Sequence, residues 1–220
     1  KLSFLIFLHS LSTMTAKRLT CGASIITKNH LVSAAHCFMG GYARNYVIVG
    51  TDNRHYNGDR YDVHRVIVHP TYNTRTHDND ILVLKLAKSL VFSSRVKPIA
   101  LAERNLVIPQ GAMLNAMGYG QTLENADNEN LYKISIPYVD TITCESVVSM
   151  KITTSMLCAG RRPYENGDSG GPLVYGQTLV GVTSFVFSQE HNGVAYMLKP
   201  FTVFARVSTL RDFIDGAIRT

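Results

Sequence analysis

No two cysteines in this chain stand in Cys-x-x-Cys spacing, so a zinc site built on paired thiolates is unsupported. No apolar run reaches the roughly 18 residues that a membrane-spanning helix needs. Asn-x-Ser/Thr sequons, internal repeats and low-complexity tracts are missing too. The loop Thr51–Arg60 has two acids, Asp52 and Asp59, without the oxygen-rich spacing of an EF-hand, so they read as water-facing side chains. Only 17% of the 220 residues are charged, against 45% hydrophobic. That balance excludes wholesale disorder and allows a buried core. The formal charge of +6 is spread along the chain, which describes a solvated basic surface and not a nucleic-acid groove.

The length fits one domain or two small ones. Sixteen glycines and many short apolar runs favour strands and turns over long helices. The four cysteines are Cys21, Cys37, Cys144 and Cys158. An even count fits two disulfides and an oxidising compartment. The sequence alone leaves three pairings open, and four free thiols as well.

In chain order, Lys1–Ser10 reads as a first strand in preference to the core of a secretory signal. Strand-like runs follow at Ala23–Thr27, Leu31–Ala34, Tyr46–Gly50, Val63–Val68 and Ile81–Leu86. Lys88–Gln110 has no clear periodicity and reads as a linker between two halves. Further strands are predicted at Met113–Gly120, Tyr132–Val139, Leu173–Val174 and Leu179–Phe187, with a short helix over Glu145–Met150. Val207, Leu210, Ile214, Ala217 and Ile218 recur at helical spacing. They predict a C-terminal helix over 208–218, with Ser208 as its N-cap.

Gly167-Asp168-Ser169-Gly170-Gly171-Pro172 stands out from this background. Glycines free of side-chain clash at positive φ can hold a sharp, exposed turn. Backbone N–H groups in such a turn can converge on an anion. Ser169 could then be a nucleophile beside its own oxyanion hole, provided that a base and an orienting acid exist elsewhere. His36, in Ser33-Ala34-Ala35-His36-Cys37, and Asp80, in Asp78-Asn79-Asp80-Ile81, supply that pair in the order His, Asp, Ser. His77 is a rival base on the same loop as Asp80.

These three motifs, in order and at these spacings, resemble the chymotrypsin-like serine peptidases. The resemblance extends to Cys21-Gly22, Gly118-Tyr119-Gly120, Met156-Leu157-Cys158-Ala159-Gly160, Ser184-Phe185-Val186 and the final helix. It implies an all-β fold of two antiparallel six-stranded β-barrels with a C-terminal α-helix. On that pattern the barrels fall at about 1–103 and 104–206 of a single peptidase domain, with the site in the cleft between them. It implies disulfides Cys21–Cys37 and Cys144–Cys158. It implies that His36 takes the proton of Ser169, that Asp80 orients and stabilises the imidazole, and that the N–H groups of Gly167 and Ser169 bind the oxyanion. Ser184 would lie beside Asp80, and Ser184, Phe185 and Val186 would pair with an extended substrate.

The chain departs from the family pattern in two places. The active form of the family begins with a freed Ile or Val amine that pairs with the acid before the nucleophile, here Asp168. No such start precedes the first strand. The sequence therefore reads as a fragment without the activating N-terminus, in preference to a chain that is not activated by this route. The cysteine expected four residues before Ser169 is Glu165, and back-counting puts Pro163 at the base of the specificity pocket. Val186 and Thr202 replace pocket glycines in an elastase-like way and predict small or medium apolar P1 residues. Large apolar P1 residues come second, and Glu165 leaves Arg/Lys as a further possibility. The expected protein is a secreted, extracellular, monomeric serine endopeptidase made as a zymogen. It would act on polypeptides and meet protein inhibitors, with no metal, cofactor, nucleic acid or membrane. The alternative is a non-catalytic homologue acting as a secreted binding protein.

Overall fold

The structure is a computed structural model that describes residues 5–11, 18–38, 44–53, 58–118, 130–148, 150–160, 169–186, 189–191, 194–196 and 201–220. Its first half holds six strands: β1 (Leu5–Leu11), β2 (Arg18–Ile25), β3 (His30–Ser33), β4 (Arg44–Val49), β5 (Asp59–Val68) and β6 (Leu82–Leu86). They close into an antiparallel barrel in the order β1-β2-β3-β6-β5-β4. The closing pair sets Phe7 opposite Ile48 and Leu11 opposite Arg44. The wholly buried run of β3 and the nearly continuous apolar run Leu82-Val83-Leu84 of β6 mark strands covered on both faces. Ala23, Ile25, Leu31, Val47 and Leu84 fill the interior. The polar stretch after β4 is shorter than its composition predicted, because Asp59 and Arg60 already pair with Val49 and Ile48.

The second half contains β7 (Ala100–Leu101), β8 (Met113–Gly118), β9 (Tyr132–Val139), β10 (Met156–Ala159), β11 (Pro172–Tyr175), β12 (Thr178–Val186), β13 (Gln189–His191), β14 (Val194–Tyr196) and β15 (Thr202–Arg206). Seven of them form one curled sheet in the order β11-β8-β9-β10-β15-β12-β7, and β11 also pairs with β12, so the sheet turns back on itself. Leu114, Leu157, Leu173, Val182 and Phe204 pack inside it. β13 and β14 form a separate antiparallel pair. β7 pairs in parallel with β12, so the predicted linker contributes one short strand. The fold is mostly β, with the expected C-terminal helix. No helix among the described residues is long and apolar enough to cross a membrane.

Neither helix starts where the sequence placed it. The first helix, α1, runs over Thr141–Val148 and not from Glu145. Asp140 accepts the Thr143 N–H at 2.8 Å and the Thr143 hydroxyl at 2.9 Å, a side-chain cap at the helix N-terminus. The C-terminal helix, α2, covers Arg211–Ile218, with Leu210 at the N-cap position and no side-chain cap. Ser208 is therefore not the cap. The neighbouring Thr209 hydroxyl instead bonds the Thr154 and Arg206 carbonyls at 2.9 and 3.1 Å. Leu210, Ile214 and Ala217 bury the apolar stripe of α2. The chain end reaches the first barrel, where Lys85 Nζ donates to the Thr220 carbonyl at 3.0 Å and the rings of His69 and Phe213 lie 4.6 Å apart.

Candidate active site

The polar groups of interest gather where the two halves meet. His36 stands on a one-turn 3₁₀ segment, Ala35–Phe38, directly after β3. Asp80 precedes β6, and its side chain is fully buried while that of His36 is 23% exposed. The carboxylate holds His36 twice. Its Oδ2 lies 2.7 Å from the ring Nδ1, and its Oδ1 accepts the backbone N–H of His36 at 2.9 Å. The Ser184 hydroxyl, from β12 of the second half, donates to the same Oδ2 at 2.5 Å.

Burial by itself would raise the Asp80 pKa. Hydrogen bonds from His36 and His77, the charge of His36 and the Ser184 hydroxyl outweigh it and hold the carboxyl far below the usual carboxylate range. Asp80 is therefore an ionised group with its lone pairs occupied, which is the condition under which a buried carboxylate is tolerated.

Ser169 stands in the turn just ahead of β11. Its carbonyl accepts the Gly22 N–H at 2.7 Å, Gly170 N–H donates to the Thr183 carbonyl at 2.8 Å, and Thr183 N–H donates to the Gly171 carbonyl at 2.9 Å. The turn is thus pinned between β2 and β12. Gly170 has φ +76°, and a Cβ there would run into Ser33 Oγ and the Gly22 carbonyl oxygen, so only glycine fits. A Cβ on Gly22 would lie 2.8 Å from the Gly171 Cα. Cys21, beside Gly22, is bonded to Cys37, beside His36. A single strand residue, a disulfide and two main-chain neighbours therefore fasten the segment carrying Ser169 to the segment carrying His36. The second disulfide joins Cys144 of α1 to Cys158 of β10.

Phe185 and Val186 are half-buried and Ser184 is buried at the end of β12. Val186 stands opposite Thr202 across the β12–β15 pair, next to a register shift between Thr183 and Phe185. Thr202 is buried, and its hydroxyl has no hydrogen-bond partner among the described residues. Gly167 and Asp168 lie outside the described residues, as do Pro163, Glu165, Tyr119 and Gly120.

The loop before Asp80 adds features that sequence reading passed over. His77, read only as a rival base, has φ +56°, and its Nδ1 lies 3.7 Å from Asp80 Oδ2. Its ring centroid is 5.8 Å from that of His36 and 5.2 Å from that of Phe185, and the Tyr72 hydroxyl is 3.3 Å from its Nδ1. Asp78 accepts the Thr153 hydroxyl at 2.6 Å and also the Ser155 hydroxyl. Ser155 Oγ in turn accepts the Asn79 N–H at 3.1 Å. The hydroxyls two residues apart ahead of β10, and the Asp-x-Asp pattern facing them, were the sequence signals for this grip. Among the described residues, His36, His77 and Asp80 are also the cluster of free ligand-type side chains close enough to share a cation.

The arrangement suits acyl transfer chemically. An imidazole, oriented through one nitrogen by an ionised carboxylate, leaves the other nitrogen for proton exchange. The family model described as Trypsin matches residues 6–214, and the chain belongs to the trypsin family of chymotrypsin-like serine peptidases. It is 33% identical over 221 residues to the vitellin-degrading protease of Bombyx mori, covering 96% of this chain and 80% of that protein. It is 34% identical over 208 residues to a trypsin of Phaedon cochleariae, covering 89% and 77%. It is 33% identical over 208 residues to trypsin-2 of Salmo salar, covering 91% and 85%.

Proposed function

We propose that this chain is the peptidase domain of a secreted serine endopeptidase that cleaves polypeptides through an acyl-enzyme. The observation that carries this reading is the double hold of Asp80 on His36, 2.7 Å to the ring and 2.9 Å to the backbone, beside the turn that bears Ser169. His36 accepts the Ser169 hydroxyl proton as Oγ attacks the scissile carbonyl, then passes it to the leaving amine. Asp80 stabilises the imidazolium between those steps. The N–H groups of Gly167 and Ser169 receive the oxyanion, a contribution on the order of 3 kcal/mol per donor in such sites. Asp168 is the partner of a freed N-terminal amine in a processed zymogen. The two disulfides support folding in an oxidising compartment.

The pocket beside Val186 and Thr202 takes small or medium apolar P1 side chains. Support comes from the β-branched pair facing each other at Val186 and Thr202, where their bulk narrows the space a substrate side chain enters. Main-chain pairing with Ser184–Val186 holds the substrate as an added strand. The protein works as a monomer on polypeptide substrates and is open to protein inhibitors of the same shape.

The test is labelling of the full-length, processed protein with a fluorophosphonate, followed by peptide mapping. Adduct on Ser169 that is absent from His36→Ala is the expected result. A folded protein that stays unlabelled overturns the enzymatic reading in favour of a binding protein on a peptidase scaffold.

A further inference from the structure

We propose that His36, His77 and Asp80 together form a site for a zinc-type divalent transition cation, and that filling it switches the peptidase off. One nitrogen of each imidazole and one Asp80 oxygen all lie within 4.8 Å of one another. The two pairs that share Asp80 Oδ2 are at 2.7 Å from His36 Nδ1 and 3.7 Å from His77 Nδ1. A tetrahedral Zn²⁺ with bonds of about 2.0–2.1 Å spaces its ligand atoms roughly 3.4 Å apart. The His77–Asp80 spacing is already close to that value. The His36 ring needs to step back from Asp80 by about 0.7 Å on the same geometry.

The donor set selects the metal. Two imidazoles and one carboxylate suit Zn²⁺ and its transition-metal neighbours, whereas Ca²⁺ and Mg²⁺ require oxygen cages that this cluster does not offer. The His36 and His77 side chains are 23% and 33% exposed while Asp80 is buried behind them, so a cation arrives from the imidazole side and keeps water as its remaining ligand. The surrounding groups are already placed. The Ser184 hydroxyl and the His36 backbone N–H fix the Asp80 carboxylate, while the Tyr72 hydroxyl, 3.3 Å from His77 Nδ1, has to give that nitrogen up to the cation. Outer contacts such as those on Asp80 orient ligands and strengthen metal binding. The loop holds His77 by its own backbone, with His77 N–H donating to the Asn73 carbonyl at 2.8 Å and Asn73 N–H donating to the Asp78 carbonyl at 3.0 Å.

Occupancy changes the chemistry at one atom. The cation takes the place of the proton on His36 Nδ1, and the imidazole carries its proton on Nε2 instead, so the nitrogen that would accept the Ser169 proton has no lone pair free. The binding claim rests on the cluster alone. The inhibition claim rests on the serine-peptidase reading above.

Calorimetric titration of Zn²⁺ into full-length, processed Ser169→Ala protein separates the two claims, because it reads binding without proteolysis. One cation per chain with micromolar affinity is expected, weakened at least about 50-fold when His77→Asn is added, with His77→Gln as a second replacement in case one variant misfolds. Mg²⁺ is expected to leave the titration unchanged. In the wild-type protein, Zn²⁺ is expected to abolish peptide hydrolysis and a chelator to restore it, with a matching rise in the inhibitory concentration for His77→Asn. Absence of one-to-one binding, or binding and inhibition that persist equally in both His77 variants, overturns the site. A wild-type protein without peptidase activity that still binds Zn²⁺ through His77 leaves the site standing and removes only its consequence.

Discussion

Asp80 grips His36 through two different atoms, its Oδ2 on the ring at 2.7 Å and its Oδ1 on the backbone N–H at 2.9 Å. The carboxylate therefore fixes both the position of the imidazole-bearing turn and the tautomer of its ring. An amide cannot do both, because one of its two atoms is a donor and would face a donor. Asp80→Asn is expected to lower kcat by about 10⁴-fold, the size of effect found when a triad carboxylate becomes an amide, with KM little changed. Steady-state kinetics on the processed protein check this.

Acid stability follows from the same carboxylate. Asp80 is held far below its usual range in the folded chain, while an unfolded Asp titrates near about 3.9. The unfolded state thus takes up this proton first as pH falls. The stabilisation is complete above about pH 4–5 and is lost progressively below about pH 4. Urea unfolding of wild type and Asp80→Asn across that range is expected to show the wild-type advantage shrinking as pH drops. A constant gap from neutrality down to acid would contradict the assignment.

The grip on Asp78 predicts a remote effect on catalysis. Ser155 donates to Asp78 and accepts from Asn79 N–H, immediately before Asp80 in the chain. Ser155→Ala removes both contacts and is expected to cost about 1–3 kcal/mol of stability, as for other hydrogen bonds to charged groups. Because the lost contacts aim the loop and not the substrate, kcat should fall while KM holds. Ser155→Thr, which keeps the hydroxyl, should recover most of both. Denaturant unfolding and kinetics on the same preparations check the pair.

Much of this site was legible because its residues sit in short, specific strings. His36 lies among Ser33-Ala34-Ala35 and Cys37, Asp80 follows Asp78-Asn79, and Ser169 lies among glycines. The alternating and continuous apolar runs likewise marked β3, β6, β9 and the body of β12. The contacts that close the site were not legible, since they join residues far apart in sequence: Ser155 to Asp78, Ser184 to Asp80, and Gly22 to Ser169. β10 and β15 were not read as strands from the sequence. The start of α2 was misplaced because Leu210, which has no capping side chain, stands at the N-cap position in place of Ser208.

Specificity is tested at the facing pair Val186 and Thr202. Replacing both with glycine opens the pocket, and each methylene of fit in such pockets changes rates by about 10–200-fold. The double variant is expected to raise kcat/KM for Phe or Tyr at P1 relative to Ala or Val by at least about 10-fold. A peptide-library cleavage profile provides the reading, and an unchanged preference places the P1 side chain elsewhere.

The central claim is that Ser169 forms an acyl-enzyme with His36 as its base. Pre-steady-state hydrolysis of an activated ester by the processed, full-length protein tests it most directly. A burst of one leaving group per chain is predicted, with the acyl mass mapped to Ser169. The burst should vanish in Ser169→Ala and slow by orders of magnitude in His36→Ala. Equal turnover by Ser169→Ala, with no acyl mass on that residue, would contradict it.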